Sequence, residues 1–398
     1  MRILLVVTLS IIAGLGAYVG YAAIRAAQPV SLPAPTGSYP VGRTITEWTD
    51  HARADPLAPR PGTPRLLSVW LWYPASPGIG TKPAPYAPGA WSGLHMGSAL
   101  AWSETDFDEV HVHAAADVPI AAGRFPLVVL EPGLGFAAAQ YTTIAENLAS
   151  HGYLVAGVTP TYSANLTVLN GAVISADDAG NPREFDAADL HAGPAQAAGD
   201  RLVDVWAADA RFAATQVAAP QTGARFAGHV DTTKTVYIGH SFGGAAALEA
   251  CHADPRCAGA VDLDGTQYGT VVHSGLAKPM MLVGSQNSCV TGTCEPDPDS
   301  RTDRTTALSM VNAGTGPAWC YRISGAEHFN FTDYGAYYLA APTDSLIGLG
   351  PIDGGEALTI TNAYLGAFID HAVSGRPETL LAAPSPYPQI QVQRTSTT

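Results

Sequence analysis

Apolar residues fall along this chain in three arrangements. The first is terminal. Between Arg2 and Arg25, residues Ile3 to Ile24 carry no charge and are mostly apolar. As a helix they would rise about 33 Å, enough to cross a bilayer. A Pro-rich stretch follows, from Gln28 to Pro40. The segment reads as a signal peptide, with small Gly20 and Ala22 ahead of a cut before Ala23, or as an uncleaved anchor through residues 3–24. Either would deliver the rest of the chain outside the cytoplasm. The second arrangement is a series of short apolar runs bounded by turn formers: Leu66 to Tyr73, Phe125 to Leu130, Tyr153 to Val158, residues 233–238, Ala260 to Asp264, Pro279 to Val283 and residues 319–323. These predict strands. The third is helical spacing, over Ala137 to His151, over Arg201 to Val217, from Gly244 to Ala250, and in a C-terminal helix containing His371. Leu202, Val205, Trp206, Phe212 and Ala213 form the stripe of the second of these helices, and Asp209 interrupts it.

Strand and helix alternate over much of the chain, which predicts a mostly parallel central sheet with helices on both faces. Residues 75–124 are Pro/Gly-rich and read as irregular. Residues 161–197 read as an insertion with a hairpin around Asn170-Gly171. The expected organisation is a signal or anchor over 1–27, a linker over 28–40, one catalytic domain over 41–380 and a tail over 381–398.

One junction in this pattern carries chemistry. The strand Thr235 to Ile238 runs into Gly239-His240-Ser241-Phe242-Gly243, and a helix follows. Strand, G-x-S-x-G and helix in that order form the nucleophile elbow of an α/β-hydrolase fold. A serine so placed needs a carboxylate and then a histidine, later in the chain and on loops past strand ends. Asp264 closes its strand and precedes Gly265. Asp262 shares that strand face but lies deeper, and reads as structural. Asp333 is a weaker rival, close behind the histidine. For the base, His328 stands in Gly325-Ala326-Glu327-His328-Phe329-Asn330-Phe331, past the strand at 319–323. His240 is locked in the elbow; His151, His191 and His252 precede the acid; His273 follows it too closely; His371 lies in a helix. An oxyanion hole needs two backbone N–H groups. Phe242 follows the nucleophile, and Leu134 lies in the turn Pro132-Gly133-Leu134-Gly135 after the 125–130 strand.

Composition narrows the partners. Charged residues are 14% of 398, and the net charge is −14. An acidic balance disfavours nucleic acid and electrostatic docking on anionic lipid. The five cysteines suit an oxidising compartment. Spacing predicts disulfides Cys251–Cys257 and Cys289–Cys294, with Cys320 left over and buried. The competing metal site lacks the usual Cys-x-x-Cys or His-x-x-x-His companions. No metal or organic cofactor is expected, and nothing in the sequence sets an oligomeric state.

These residues also carry a resemblance. Gly37-Ser38-Tyr39-Pro40-Val41-Gly42 with Trp48 and Asp50, Leu71-Trp72-Tyr73-Pro74, Gly133-Leu134-Gly135, the elbow with Gly244, Leu263-Asp264 and His328-Phe329-Asn330-Phe331 resemble the plasma/isoform II type of platelet-activating factor acetylhydrolase. The resemblance runs over residues 37–375, outside the insertion. It implies an α/β-hydrolase fold, Ser241, Asp264 and His328 as the triad, and Leu134 and Phe242 as oxyanion donors. Pro132 departs from the family's His-Gly-Leu-Gly, so a different acyl pocket is expected. The expected activity is hydrolysis of short-acyl or lipid-like esters through an acyl-enzyme. A peptidase or thioesterase on the same fold, and a non-catalytic binding protein, are the alternatives. In the insertion, Leu166, Val168, Leu169, Val173 and Ile174 are expected to line the entrance. Asp177, Asp178, Glu184, Asp186 and Asp189 are expected to repel anions, favouring neutral or zwitterionic esters.

Overall fold

The structure is a computed structural model that describes residues 2–78, 82–94, 104–186, 190, 193–220, 225–288, 301–337 and 345–395. Its strands are β1 Val30–Ser31, β2 Val41–Ala54, β3 Pro64–Pro74, β4 Pro83–Pro85, β5 Val110–Ala116, β6 Phe125–Glu131, β7 Leu154–Thr159, β8 Thr167–Leu169, β9 Ala172–Ile174, β10 Val230–His240, β11 Cys257–Leu263, β12 Met280–Gly284, β13 Ala318–Ile323 and β14 Ile390–Arg394. Its α-helices are α1 Arg2–Ala26, α2 Thr142–Ser150, α3 Gly193–Gln216, α4 Phe242–Ala253, α5 Val271–Ser274, α6 Arg301–Ala313 and α7 Gly354–Ser374.

One sheet organises these elements, in the order β1-β5-β2-β3-β7-β6-β10-β11-β12-β13-β14, with β4 paired to β5. From β7 to β13 every neighbouring pair is parallel. Apart from the polar start of β10, those strands are short, apolar and buried on both faces, as crossover helices on each side require. One face packs α2 and α7 residues such as Ile144, Leu148, Leu365 and Phe368 against Val128, Ile238 and Val261. The other packs α3 and α4 residues such as Ala210, Ala214 and Leu248 against Leu127, Val129 and Tyr237. This is the α/β-hydrolase fold.

The sheet reaches beyond the expected limits. β1 lies within the segment read as a linker and pairs with β5, and β14 lies within the segment read as a tail and pairs antiparallel with β13. The irregular stretch 75–124 contains β5. Helix α1 is a separate rod whose Leu5, Ile11, Ile12 and Leu15 side chains are exposed. Its segment Leu5–Ala26 is long and apolar enough to cross a membrane.

Helix α3 begins at Gly193, ahead of the expected Arg201, and the polar break in its stripe has a partner. Asp209 is fully buried and accepts hydrogen bonds from Arg65 Nε and Nη2 at 3.0 and 2.6 Å and from Arg53 Nη2 at 2.7 Å. Arg65, on β3, is also buried and donates to Asp55 and to the Thr161 carbonyl. The interruption is thus a buried charge network that ties α3 to the antiparallel side of the sheet. Asp209→Ala should cost about 3–5 kcal/mol, because Arg65 would be left buried with half its neutralising charge. Urea denaturation should show the midpoint falling with an unchanged m-value; an unshifted midpoint would contradict this account.

Candidate active site

β10 ends at His240, the chain reverses at Ser241 with φ 56° and ψ −127°, and α4 begins at Phe242. A non-glycine residue held in that region stores on the order of 1–3 kcal/mol of strain. The reversal leaves no space on either side. A Cβ on Gly239 would stand 2.0 Å from the Gly243 carbonyl oxygen, and one on Gly243 would stand 2.2 Å from that of Pro132. Glycine is therefore required at both positions.

The acid and the histidine arrive from two parallel strands of the sheet that have β12 between them. Asp264 directly follows β11, and His328 follows β13 in a 3₁₀ turn, His328–Phe331. His328 Nδ1 lies 2.8 Å from Asp264 Oδ2, and His328 Nε2 lies 3.0 Å from Ser241 Oγ. An ionised carboxylate only accepts, so Nδ1 carries the proton and Nε2 faces the serine hydroxyl with its lone pair. Asp264 Oδ1 accepts from the Ser285 N–H at 2.7 Å and the Ser288 hydroxyl at 2.6 Å. Burial by itself would raise the Asp264 pKa. The hydrogen bond and charge of His328, with Ser285 and Ser288, outweigh burial and hold it well below the ordinary carboxylate range.

The rival carboxylates stand apart from this line. Asp262 is buried, accepts from Gln267 Nε2 at 2.7 Å and is pushed up to about 7 by burial. Asp333 accepts from the Thr142 and Thr143 N–H groups at 2.8 and 3.0 Å, at the start of α2, and is pushed up to about 6 by burial. His240 makes its hydrogen bonds to Tyr141 and to the His328 carbonyl, and burial holds its pKa well below the ordinary value. His151 meets Thr36, and His371 lies in α7 against the Arg376 carbonyl. His191 lies outside the described residues.

Leu134 and Phe242 both border a cavity of about 220 Å³ beside Ser241, with Phe185, Leu190, Thr266 and Tyr268 completing its described lining. Neither the Leu134 nor the Phe242 N–H donates to another described residue. Phe185, Phe242 and Tyr268 touch one another, with ring centroids 5.6–6.1 Å apart, and form one aromatic wall. The insertion reaches this cavity through Phe185 and Leu190, and its hairpin lies elsewhere. β8 and β9 pair with each other, Asn170 N donates to Glu47 on β2, and Leu166 and Val168 pack on the main core. The apolar set expected at the entrance is therefore core and edge packing, with Val173 exposed. Asp189 lies outside the described residues.

Sequence reasoning missed Ser285, Ser288, Tyr141 and the aromatic wall. Ser285 and Ser288 had a signal, since they follow β12, the strand next to the acid. Cys251 and Cys257 form a disulfide, and Cys320 is buried and unpaired. Cys289 and Cys294 lie outside the described residues. Among the described residues no group of histidine, cysteine and carboxylate side chains could hold a metal ion.

Comparison with known proteins now adds to the geometry. A family model for platelet-activating factor acetylhydrolase, isoform II, matches residues 221–375. A probable 1-alkyl-2-acetylglycerophosphocholine esterase of Arthroderma benhamiae is 25% identical over 92% of this chain and 95% of its own length. The platelet-activating factor acetylhydrolase of Cavia porcellus is also 25% identical, over 66% of this chain and 61% of its own. Among solved structures, a ferulic acid esterase from Streptomyces cinnamoneus superposes with a TM-score of 0.75 at 28% identity, covering 92% of this chain and 99% of that one. These matches agree with the sheet and the elbow: the chain is a carboxylic ester hydrolase of the α/β-hydrolase fold, similar over residues 221–375 to the platelet-activating factor acetylhydrolase family, isoform II type.

Proposed function

We propose that Ser241 is the nucleophile of this esterase, His328 its general base and Asp264 the group that orients and charge-balances the imidazole. The hydrogen-bonded line Asp264–His328–Ser241, at 2.8 and 3.0 Å, carries this reading. His328 Nε2 takes the Ser241 proton as Oγ attacks the ester carbonyl. The oxyanion forms between the Leu134 and Phe242 N–H groups, at the N-terminus of α4, where the helix dipole favours negative charge. The imidazolium returns the proton to the leaving alcohol. Water, activated by the same histidine, then releases the acid and frees the serine.

The acyl group occupies the cavity beside Ser241. The described lining holds no charged side chain, so a neutral acyl group is favoured. A cavity of about 150 Å³ holds benzene; 220 Å³ therefore takes an acetyl or other short acyl group, or a single ring. The relatives named for an acetyl ester and the neighbour named for a ferulic ester fall within that range. Asp177, Asp178, Glu184 and Asp186 add negative charge to the insertion and disfavour anionic esters. Helix α1 serves as signal or membrane anchor, which places the catalytic domain outside the cytoplasm. The Cys251–Cys257 disulfide supports that compartment.

A fluorophosphonate probe tests the reading directly, since it labels only an activated serine. One label per chain, mapped to Ser241 and abolished by prior reaction with a slow ester, is the expected result. Absence of label, or label on another serine, would sink the assignment.

A further inference from the structure

Three hydrogen bonds, two of them buried and the third partly so, lie behind the proposed triad, and none belongs to it. The Gly133 N–H donates to Tyr141 Oη at 2.8 Å. Tyr141 Oη lies 2.8 Å from His240 Nδ1, and His240 Nε2 lies 2.8 Å from the His328 carbonyl oxygen. Tyr141 and His240 are each 1% exposed.

The direction of every proton in this chain is determined. The Gly133 amide can only donate, so the phenol oxygen accepts there. The single phenol proton must therefore go to His240, whose Nδ1 is then the acceptor. The remaining ring proton sits on Nε2, and among the described residues its partner is the His328 carbonyl, which can only accept. His240 is thus a neutral imidazole in one fixed tautomer. Its neutrality follows from the hydrogen bonds alone.

The two ends of this relay are the proposed oxyanion turn and the backbone of the proposed base. Gly133 lies in the turn that supplies Leu134. A Cβ at Gly133 would stand 3.3 Å from Ser241 Cβ and 3.1 Å from His240 Nδ1, so the turn rests directly on the elbow. At the other end is the backbone of His328, and the His240 and His328 rings lie 4.5 Å apart. We propose that Tyr141 and His240 are positioning residues: a two-link relay that sets the oxyanion turn and the His328 backbone in register with each other, with the elbow between them. The inference rests on the proposed roles of Ser241 and His328. It explains why a histidine occupies the x position of G-x-S-x-G here, pointing away from the serine hydroxyl.

The test uses the full chain, a p-nitrophenyl acetate assay and the rate of fluorophosphonate labelling. Tyr141→Phe is isosteric and removes both bonds of the phenol oxygen. It should lower kcat about tenfold, the scale of one lost hydrogen bond, with KM within twofold. The labelling rate should fall in step. His240→Leu should lower kcat at least as far, and the double variant no further than His240→Leu, because links in one relay are not additive. His240→Gln, which keeps an acceptor and a donor, should recover part of the loss. Wild-type kcat and labelling rate in Tyr141→Phe and His240→Gln, whatever their melting temperatures, would overturn the relay and leave both residues purely structural. Losses that multiply in the double variant would overturn it also. Failure of wild-type protein to label at Ser241 would instead strike the serine reading.

Discussion

Replacing Ser241 or His328 by alanine is expected to lower kcat for an aryl acetate by about 10³-fold or more, with the fold retained. The two losses should not add. A nucleophile without its base and a base without its nucleophile are equally idle, and the residual rate belongs to the oxyanion donors and to binding. The fold should tolerate both changes for separate reasons. Ser241 contributes its hydroxyl to the single bond with His328, and its backbone strain is set by the glycines around it. The His328 side chain is 37% exposed, so little apolar contact is lost. Steady-state kinetics beside thermal melts of both variants would decide. Turnover within tenfold of wild type, in a protein free of contaminating esterase, would remove either residue from the mechanism.

The second large effect separates two carboxylates that are two residues apart. Asp264→Asn should lower kcat by about 10³- to 10⁴-fold, because the amide oxygen stays with the Ser285 N–H and the amide NH2 faces Nδ1, which puts the imidazole proton on Nε2, where it cannot accept from the serine. Asp262→Asn should stay within a few-fold of wild type. Burial pushes its carboxyl up to about 7, so the protonated form is well populated at neutral pH, and an amide is a neutral isostere of that form. The new amide oxygen at position 262 can keep accepting from Gln267 Nε2, which also donates to the Gly265 carbonyl.

The same pair separates in stability. A carboxyl whose folded-state pKa is raised from 3.8 to about 7 holds a proton that the unfolded chain releases. Its stabilising contribution is complete below about pH 4 and is lost as pH rises through 7. Asp262→Asn should therefore gain on wild type by on the order of 2–4 kcal/mol between pH 4 and pH 8. Asp264 works with the opposite sign, since its stabilisation is present above its unfolded pKa and lost as pH falls below it. Denaturant titrations at several pH values measure both. An inactive Asp262→Asn with an active Asp264→Asn would exchange their roles.

The parallel half of the sheet and the line Ser241–Asp264–His328 were legible because each rests on a strong local signal. Short apolar runs such as Phe125 to Leu130, too short for a helix and bounded by turn formers, read as buried strands, and a serine between glycines at a strand–helix junction has few other uses. The antiparallel periphery was less legible. β14, Ile390-Gln391-Val392-Gln393-Arg394, alternates correctly but is five residues long and sits near the end of a polar stretch. Asp209 looked like a fault in a helix because its partners, Arg53 and Arg65, lie 156 and 144 residues away. Tyr141 could not be found for a related reason. Nothing near it in sequence reveals that its oxygen meets both the oxyanion turn and a histidine 99 residues later. The aromatic wall draws Phe185 from an irregular segment whose course the local sequence does not dictate.

The order of strands has one more consequence. Ser241, Asp264, Ser285 and His328 leave the sheet at the ends of β10, β11, β12 and β13, which are neighbours in space and consecutive in sequence. Residues 230–331 thus form a contiguous stretch that carries the proposed triad. The chain before it supplies the proposed oxyanion turn and, through Leu134, Phe185 and Leu190, part of the cavity wall. The two stretches meet at the elbow, where Gly133 and Tyr141 of the first pack against His240 of the second, so an exchange between relatives at a crossover between α3 and β10 should be tolerated only where those contacts are carried over with it.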